Sequence, residues 1–218
     1  MAEPGWERSL VDRLVADVRP VRRLWRPEMR LVVWLALAVA ALAIPAARVT
    51  RADLAIRLHA PAFILEQALL IVGSVLLGLE ALRTVIPGRL RSRALTVAGF
   101  TALGLAVLSM LRLPVHHAWT IETFLDVGRP CLWRAAIWGA VPFVLLLLAL
   151  RRGAPLELRR AAMFAGAAAW GLTCVALRVC CQTDELLHLA TFHAFPLVAG
   201  TLAAAVLGPI ALAVSRPT

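Results

Sequence analysis

Cysteine and histidine are the side chains here whose chemistry is most distinctive. The cysteines are Cys131, Cys174, Cys180 and Cys181, and the histidines are His59, His116, His117, His188 and His193. A thiolate exchanges disulfides and binds soft metals, and imidazole is its common companion ligand. Cys180 and Cys181 are vicinal and cannot easily bond to each other without strain, so a bridge would draw on Cys131. The histidines, with Glu122, Asp126, Asp184 and Glu185 near several of them, could ligate a metal. No H-x3-H or C-x2-C spacing is present, so the residue types leave the metal open. His193 reads as a hydrogen-bonding core residue and Cys174 as a small packing residue. The sequence has no glycine-rich phosphate loop, nucleophile elbow or paired-carboxylate site, a pattern that points away from an enzyme and from a bound organic cofactor.

The elements that must position these side chains follow from composition. The chain has 218 residues, 61% of them hydrophobic, against about 45–50% in soluble domains. Its mean hydropathy is +0.81. The formal charge of +10 comes from 23 basic residues, all arginine. Such a balance can mark nucleic-acid binding. Here the arginines lie between long apolar runs, which is the pattern of a membrane protein with no direct nucleic-acid contact.

A bilayer-crossing helix needs about 20 mostly apolar residues. Six stretches qualify: 31–47, 63–82, 94–111, 133–150, 161–180 and 191–214. Lipid offers the backbone no partners, so these read as helices, with Pro142 kinking the fourth. Sixteen arginines fall before the first span, around the second and fourth loops and in the tail, and seven fall on the other side. The positive-inside rule then places both termini in the cytoplasm. The expected fold is an all-α membrane protein with six spans over 31–214, preceded by a cytoplasmic segment over 1–30.

That segment contains a short amphipathic helix over 9–19. Ser9 caps it, and Leu10, Val11, Leu14, Val15 and Val18 share one face. Pro20 ends it, and a basic run with Trp25 follows. The helix is too short to be stable alone in water. It therefore rests on membrane lipid or docks into a groove on a cytoplasmic partner.

On this topology Cys131, Cys180, Cys181 and every histidine lie on the non-cytoplasmic side. The stretch from Cys131 to Arg151 and that from Arg160 to Cys181 are helices of similar length joined by a short loop. They should be antiparallel neighbours, which brings Cys131 near Cys180 or Cys181. A permanent bridge and a redox or soft-metal sensor are both compatible with this. Charges inside the slab should face the bundle and pair. Glu66 is expected to meet Arg178 or Arg134, which would put the second span beside the fourth and fifth, and Glu80 should meet Arg83.

Several segments together resemble the NrsF family of membrane-bound anti-sigma factors. They are Asp12–Leu24, Arg51–Ala55 leading into Pro61–Glu66, Pro87–Arg89, Cys131 with the helix after it, Arg151–Pro155, Cys181–Asp184 and Leu187–His188 with Phe192–His193. The resemblance runs in order through nearly the whole chain. It implies an extracytoplasmic-function sigma factor as the partner, held at the bacterial inner membrane by the cytoplasmic segment. The hook falls on Asp17, Val18, Arg19, Pro20 and Val21, and the apolar face adds Leu10 and Leu14. The resemblance also implies that Cys131 and Cys181 take part in the response to oxidants or heavy metals. The family usually has proline after its second cysteine, whereas Gln182 stands here and Cys180 precedes. A different class of reading is a small multi-pass transporter or channel with Glu66, Arg134 and Arg178 as its charged site. The oligomeric state is not fixed by the sequence.

Overall fold

The structure is a computed structural model that describes residues 12, 13, 15, 16, 24–86, 92–111, 119–153 and 155–213. The described residues form helices and no strands. The helices are α1 (Pro27–Ala46), the short α2 (Leu54–Arg57), α3 (Pro61–Arg83), α4 (Arg93–Met110), α5 (Ile121–Arg151), α6 (Leu158–Cys180), the short α7 (Leu186–Leu189) and α8 (Phe195–Ala213). A π turn, Ala190–Ala194, joins α7 to α8 without a break. Six helices are long and apolar enough to cross a membrane, the last running from Leu186 to Ala213.

Local chemistry sets several helix ends. Pro27 and Pro61 occupy first-turn positions, where the missing N–H costs nothing. The Ser92 and Thr120 side chains accept hydrogen bonds from the Leu95 and Thr123 amides and cap α4 and α5. Capped at Thr120, α5 begins 12 residues before the expected span and continues through both Pro130 and Pro142. Cys131 is therefore almost three turns inside a helix and not at its start. At the opposite end, Arg30 donates to the Ala149 carbonyl in the last turn of α5. Arg151 donates to the Ala211 carbonyl in the last turn of α8 at 2.5 and 3.0 Å. Both satisfy carbonyls that a helix end leaves without partners.

The centre of the bundle is α6, 78% buried in its apolar window against 33–39% for the other five spanning helices. Its sequence explains the position: Ala161–Cys174 is mostly alanine and glycine, and small residues let neighbouring backbones approach closely. A Cβ at Gly166 would sit 2.4 Å from Ala204 of α8, and one at Gly171 would sit 2.2 Å from the Ser74 hydroxyl of α3. α6 packs against α8, α3, α5 and α1, while α4 packs on α3. Large apolar side chains such as Val97, Leu207 and Ile210 point outward from the bundle, as a lipid-facing surface requires. The expectation that the second span lies beside both the fourth and the fifth needs correction: α3 runs along α6 and only grazes α5. The small side chains of α6 draw α3 to itself, as at Gly171 against Ser74.

Asp12, Arg13, Val15 and Ala16 are helical. The other residues of the expected hook (Leu10, Leu14, Asp17, Val18, Arg19, Pro20 and Val21), together with His116 and His117, lie outside the described residues.

Candidate functional site

Two clusters meet at the end of the bundle where α5 begins and α6 stops. In the first, α6 terminates at Cys180, and Cys181 turns into extended backbone with φ −78° and ψ 126°. That turn swings the Cys181 side chain towards α5, where its Sγ lies 3.8 Å from the Cys131 Sγ. The Cys181 Sγ is also 3.2 Å from Nε2 of His188. His193 completes the group, and the potential ligand atoms of Cys131, Cys181, His188 and His193 all lie within 4.8 Å of one another. Each of the four residues is at most 5% exposed.

His188 and His193 are five residues apart, a spacing that would put them on different faces of a regular α-helix. The π turn over Ala190–Ala194 inserts the extra residue that realigns them, and their rings stand 5.6 Å apart. An aromatic wall closes the group: Phe192 lies 5.1 Å from the His188 ring and 5.0 Å from Phe124. Gly128 makes room for that wall, since a Cβ there would fall 1.9 Å from the Phe192 ring. Gly128→Ala is therefore expected to push Phe192 out of place, destabilise the protein by about 1–3 kcal/mol and slow oxidative joining of Cys131 to Cys181. Thermal unfolding in detergent and a gel assay of disulfide formation check both effects.

The Cys131 thiol donates towards Cys181, and this outweighs the burial that would raise the Cys181 pKa. With His188 adding to the effect, the Cys181 thiol is held below its ordinary range. The arrangement sets two sulfurs beside an imidazole, a group chemically able to form a disulfide or to hold a soft metal. Cys180 faces the other way, its Sγ 3.7 Å from the Ala46 carbonyl of α1. Cys174 is buried, as a packing residue should be. His193 is core but, among the described residues, not hydrogen-bonded as expected: neither of its ring nitrogens has a partner there, and Nδ1 of His188 has none either.

The second cluster is ionic. Arg178 Nε meets Glu66 at 2.5 Å, and its Nη1 meets Asp184 at 2.6 Å. Asp184 also takes Arg51 and Arg57, each at 2.6 Å, and Asp53 takes Arg51 at 2.5 Å and Arg57 at 3.1 Å. Burial alone would raise the Asp184 pKa, but the Arg51 and Arg178 hydrogen bonds outweigh it and hold the carboxyl below its usual range. The Arg51 hydrogen bond does the same, chiefly, for Asp53. Of the two partners expected for Glu66, Arg178 is the one that reaches it. Arg134 instead lies over the Trp138 ring at 6.0 Å. Glu80 pairs with Arg83 at 3.1 Å. The network ties the loop 181–185 to α3 and to the segment after α1, so the loop carrying Cys181 is anchored three residues away.

Glu122 and Asp126 are exposed on the first turns of α5, with Asp126 beside Arg129 at 3.6 Å. His59 is exposed and contacts the Ala55 carbonyl. None of the three belongs to the thiol–imidazole group. Glu185 accepts a hydrogen bond from the Trp119 indole at the edge of that group. A family model described as NrsF, negative regulator of sigma F, matches residues 14–213. No curated protein and no solved structure matches the chain.

Proposed function

This chain belongs to the NrsF family of negative regulators of a sigma factor, and from that premise we propose that it is an anti-sigma factor of the bacterial inner membrane whose outer-face thiols control its hold on an extracytoplasmic-function sigma factor. The N-terminal segment is the hook, through Leu10, Leu14, Asp17, Val18, Arg19, Pro20 and Val21. It lies in the cytoplasm, as the arginine asymmetry favours, and it covers the surface with which the sigma factor would bind RNA polymerase. A segment of this kind folds on its partner, so modest changes at its anchor alter its affinity.

The observation that carries the sensing half of this reading is the buried approach of Cys131 to Cys181 at 3.8 Å. A peroxide-class oxidant takes two electrons from the pair. The two S–H bonds break, one S–S bond forms, and the peroxide leaves as two molecules of water. The sulfurs must close to about 2.05 Å. The two side chains, with α5 or the end of α6, must shift to allow it, and a differential free energy between two packings is what a signal across the membrane requires. Heavy-metal capture by the same sulfurs would bias the same equilibrium.

The transporter reading is weaker. The Glu66–Arg178 pair is already engaged with Asp184. Two grooves, one between α1, α3 and α6 and one between α4, α6 and α8, are lined almost wholly by apolar side chains.

Purification of the detergent-solubilised protein should bring down one sigma factor identifiable by mass spectrometry. Deletion of residues 1–26 should abolish that recovery and derepress its promoters while leaving the membrane domain in place. Recovery unaffected by the deletion would refute the hook.

A further inference from the structure

The thiol–imidazole group is more than a pair of sulfurs. We infer that Cys131, Cys181, His188 and His193 form a closed tetrahedral site for a resident divalent zinc ion. Two sulfurs and two imidazoles are a set that suits zinc and disfavours magnesium or calcium. Zinc–sulfur bonds of about 2.3 Å place two sulfurs of a tetrahedron about 3.8 Å apart, and zinc–nitrogen bonds of about 2.0–2.1 Å place sulfur and nitrogen about 3.5 Å apart. The Cys131 and Cys181 sulfurs stand 3.8 Å apart, and the Cys181 sulfur is 3.2 Å from His188 Nε2.

A second observation points to a ligand independently of this spacing. His193 is 1% exposed, and among the described residues neither of its ring nitrogens has a hydrogen-bond partner. A buried polar nitrogen left unmet is costly, and coordination is a partner that would remove the penalty at the bonded atom. Charge agrees as well. Two thiolates neutralise a divalent ion, so the filled site is uncharged inside its wall of Phe124 and Phe192. The thiols must give up their protons for the ion to bind. Four protein ligands leave no open position, which makes the site structural and not catalytic. It would clasp α5, the end of α6 and the π turn of the last span at one point.

The assignment shares its cysteines with the proposed sensor but not the sigma-factor role, so either can fail without the other. The test uses the full chain in detergent, stripped by a chelator under reducing conditions and then titrated with zinc or cobalt. One zinc per chain is expected, with a rise in unfolding temperature. Cobalt should give intense tetrahedral bands together with thiolate charge-transfer bands. His193→Gln should weaken zinc binding by roughly a hundredfold or more, since even outer-shell changes cost 10–100-fold. Cys131→Ser should remove the charge-transfer intensity of one thiolate. Sub-stoichiometric zinc in the unaltered protein, a weak octahedral cobalt spectrum, or affinity unchanged in both variants would each overturn the site. The unaltered protein alone decides the first two, so a variant that fails to fold does not shelter the claim.

Discussion

Replacing Arg178 by alanine is expected to destabilise the protein by about 3–5 kcal/mol, the cost of removing one partner of a buried ion pair. The Arg178 and Glu66 side chains are 3% and 5% exposed, so solvent screening gives little relief. Glu66 would lose its buried partner, while Asp184 would keep Arg51 and Arg57. Arg178→Lys should recover only part of the loss. The guanidinium uses Nε for Glu66 and Nη1 for Asp184, and an ammonium cannot reproduce that fork. The double change Glu66→Leu with Arg178→Leu should be much milder than either single change, because no buried charge is orphaned at Glu66. Unfolding midpoints of the four proteins in detergent form the cycle that measures this coupling. Additive single effects would show that the pair carries no coupling.

A protein carrying both Cys131→Ser and Cys181→Ser is expected to repress normally at rest and to show no induction under oxidant or heavy-metal stress. Serine is close in size to cysteine, so the packing around Phe192 survives, but it can form neither a disulfide nor a thiolate bond to metal. Either single change should behave like the double, because the chemistry needs both sulfurs. Cys180→Ser and Cys174→Ser should leave induction intact, since Cys180 faces Ala46 and Cys174 is buried in the bundle core. The energy involved is moderate. A tenfold change in sigma-factor affinity is only about 1.4 kcal/mol, which a modest difference between two packings of the bundle supplies. Transcription from a sigma-dependent promoter reads the result.

The six spans were legible because lipid leaves the backbone only one solution, so apolar length translates directly into helix. The start of α5 was not. Residues 121–132 include Glu122, Asp126, Arg129 and Pro130, which lower hydropathy without stopping a helix that Thr120 caps. The Glu66 partner was narrowed to two arginines by the rule that intramembrane charges pair. Only packing could choose between them, and the small side chains of α6 that draw α3 inward chose Arg178. The pairing of Cys131 with Cys181 over Cys180 depends on one extended residue after α6, which no periodicity announces. The histidine half of the site was hidden for a different reason. Ligand searches look for spacings that share a face of an α-helix, and the five-residue step from His188 to His193 does so only through the π turn. The Asp184 network draws on Arg51, Asp53 and Arg57 from a distant loop, contacts that local sequence does not encode.

The central claim is that chemistry at Cys131 and Cys181 on one side of the bilayer releases a protein held on the other. The most direct measurement follows the sigma factor itself, by sedimenting membranes before and after a pulse of a thiol oxidant in cells carrying the natural protein or the Cys131→Ser, Cys181→Ser protein. The account predicts that the sigma factor leaves the membrane fraction of the first and stays with the second. Equal release from both would contradict it.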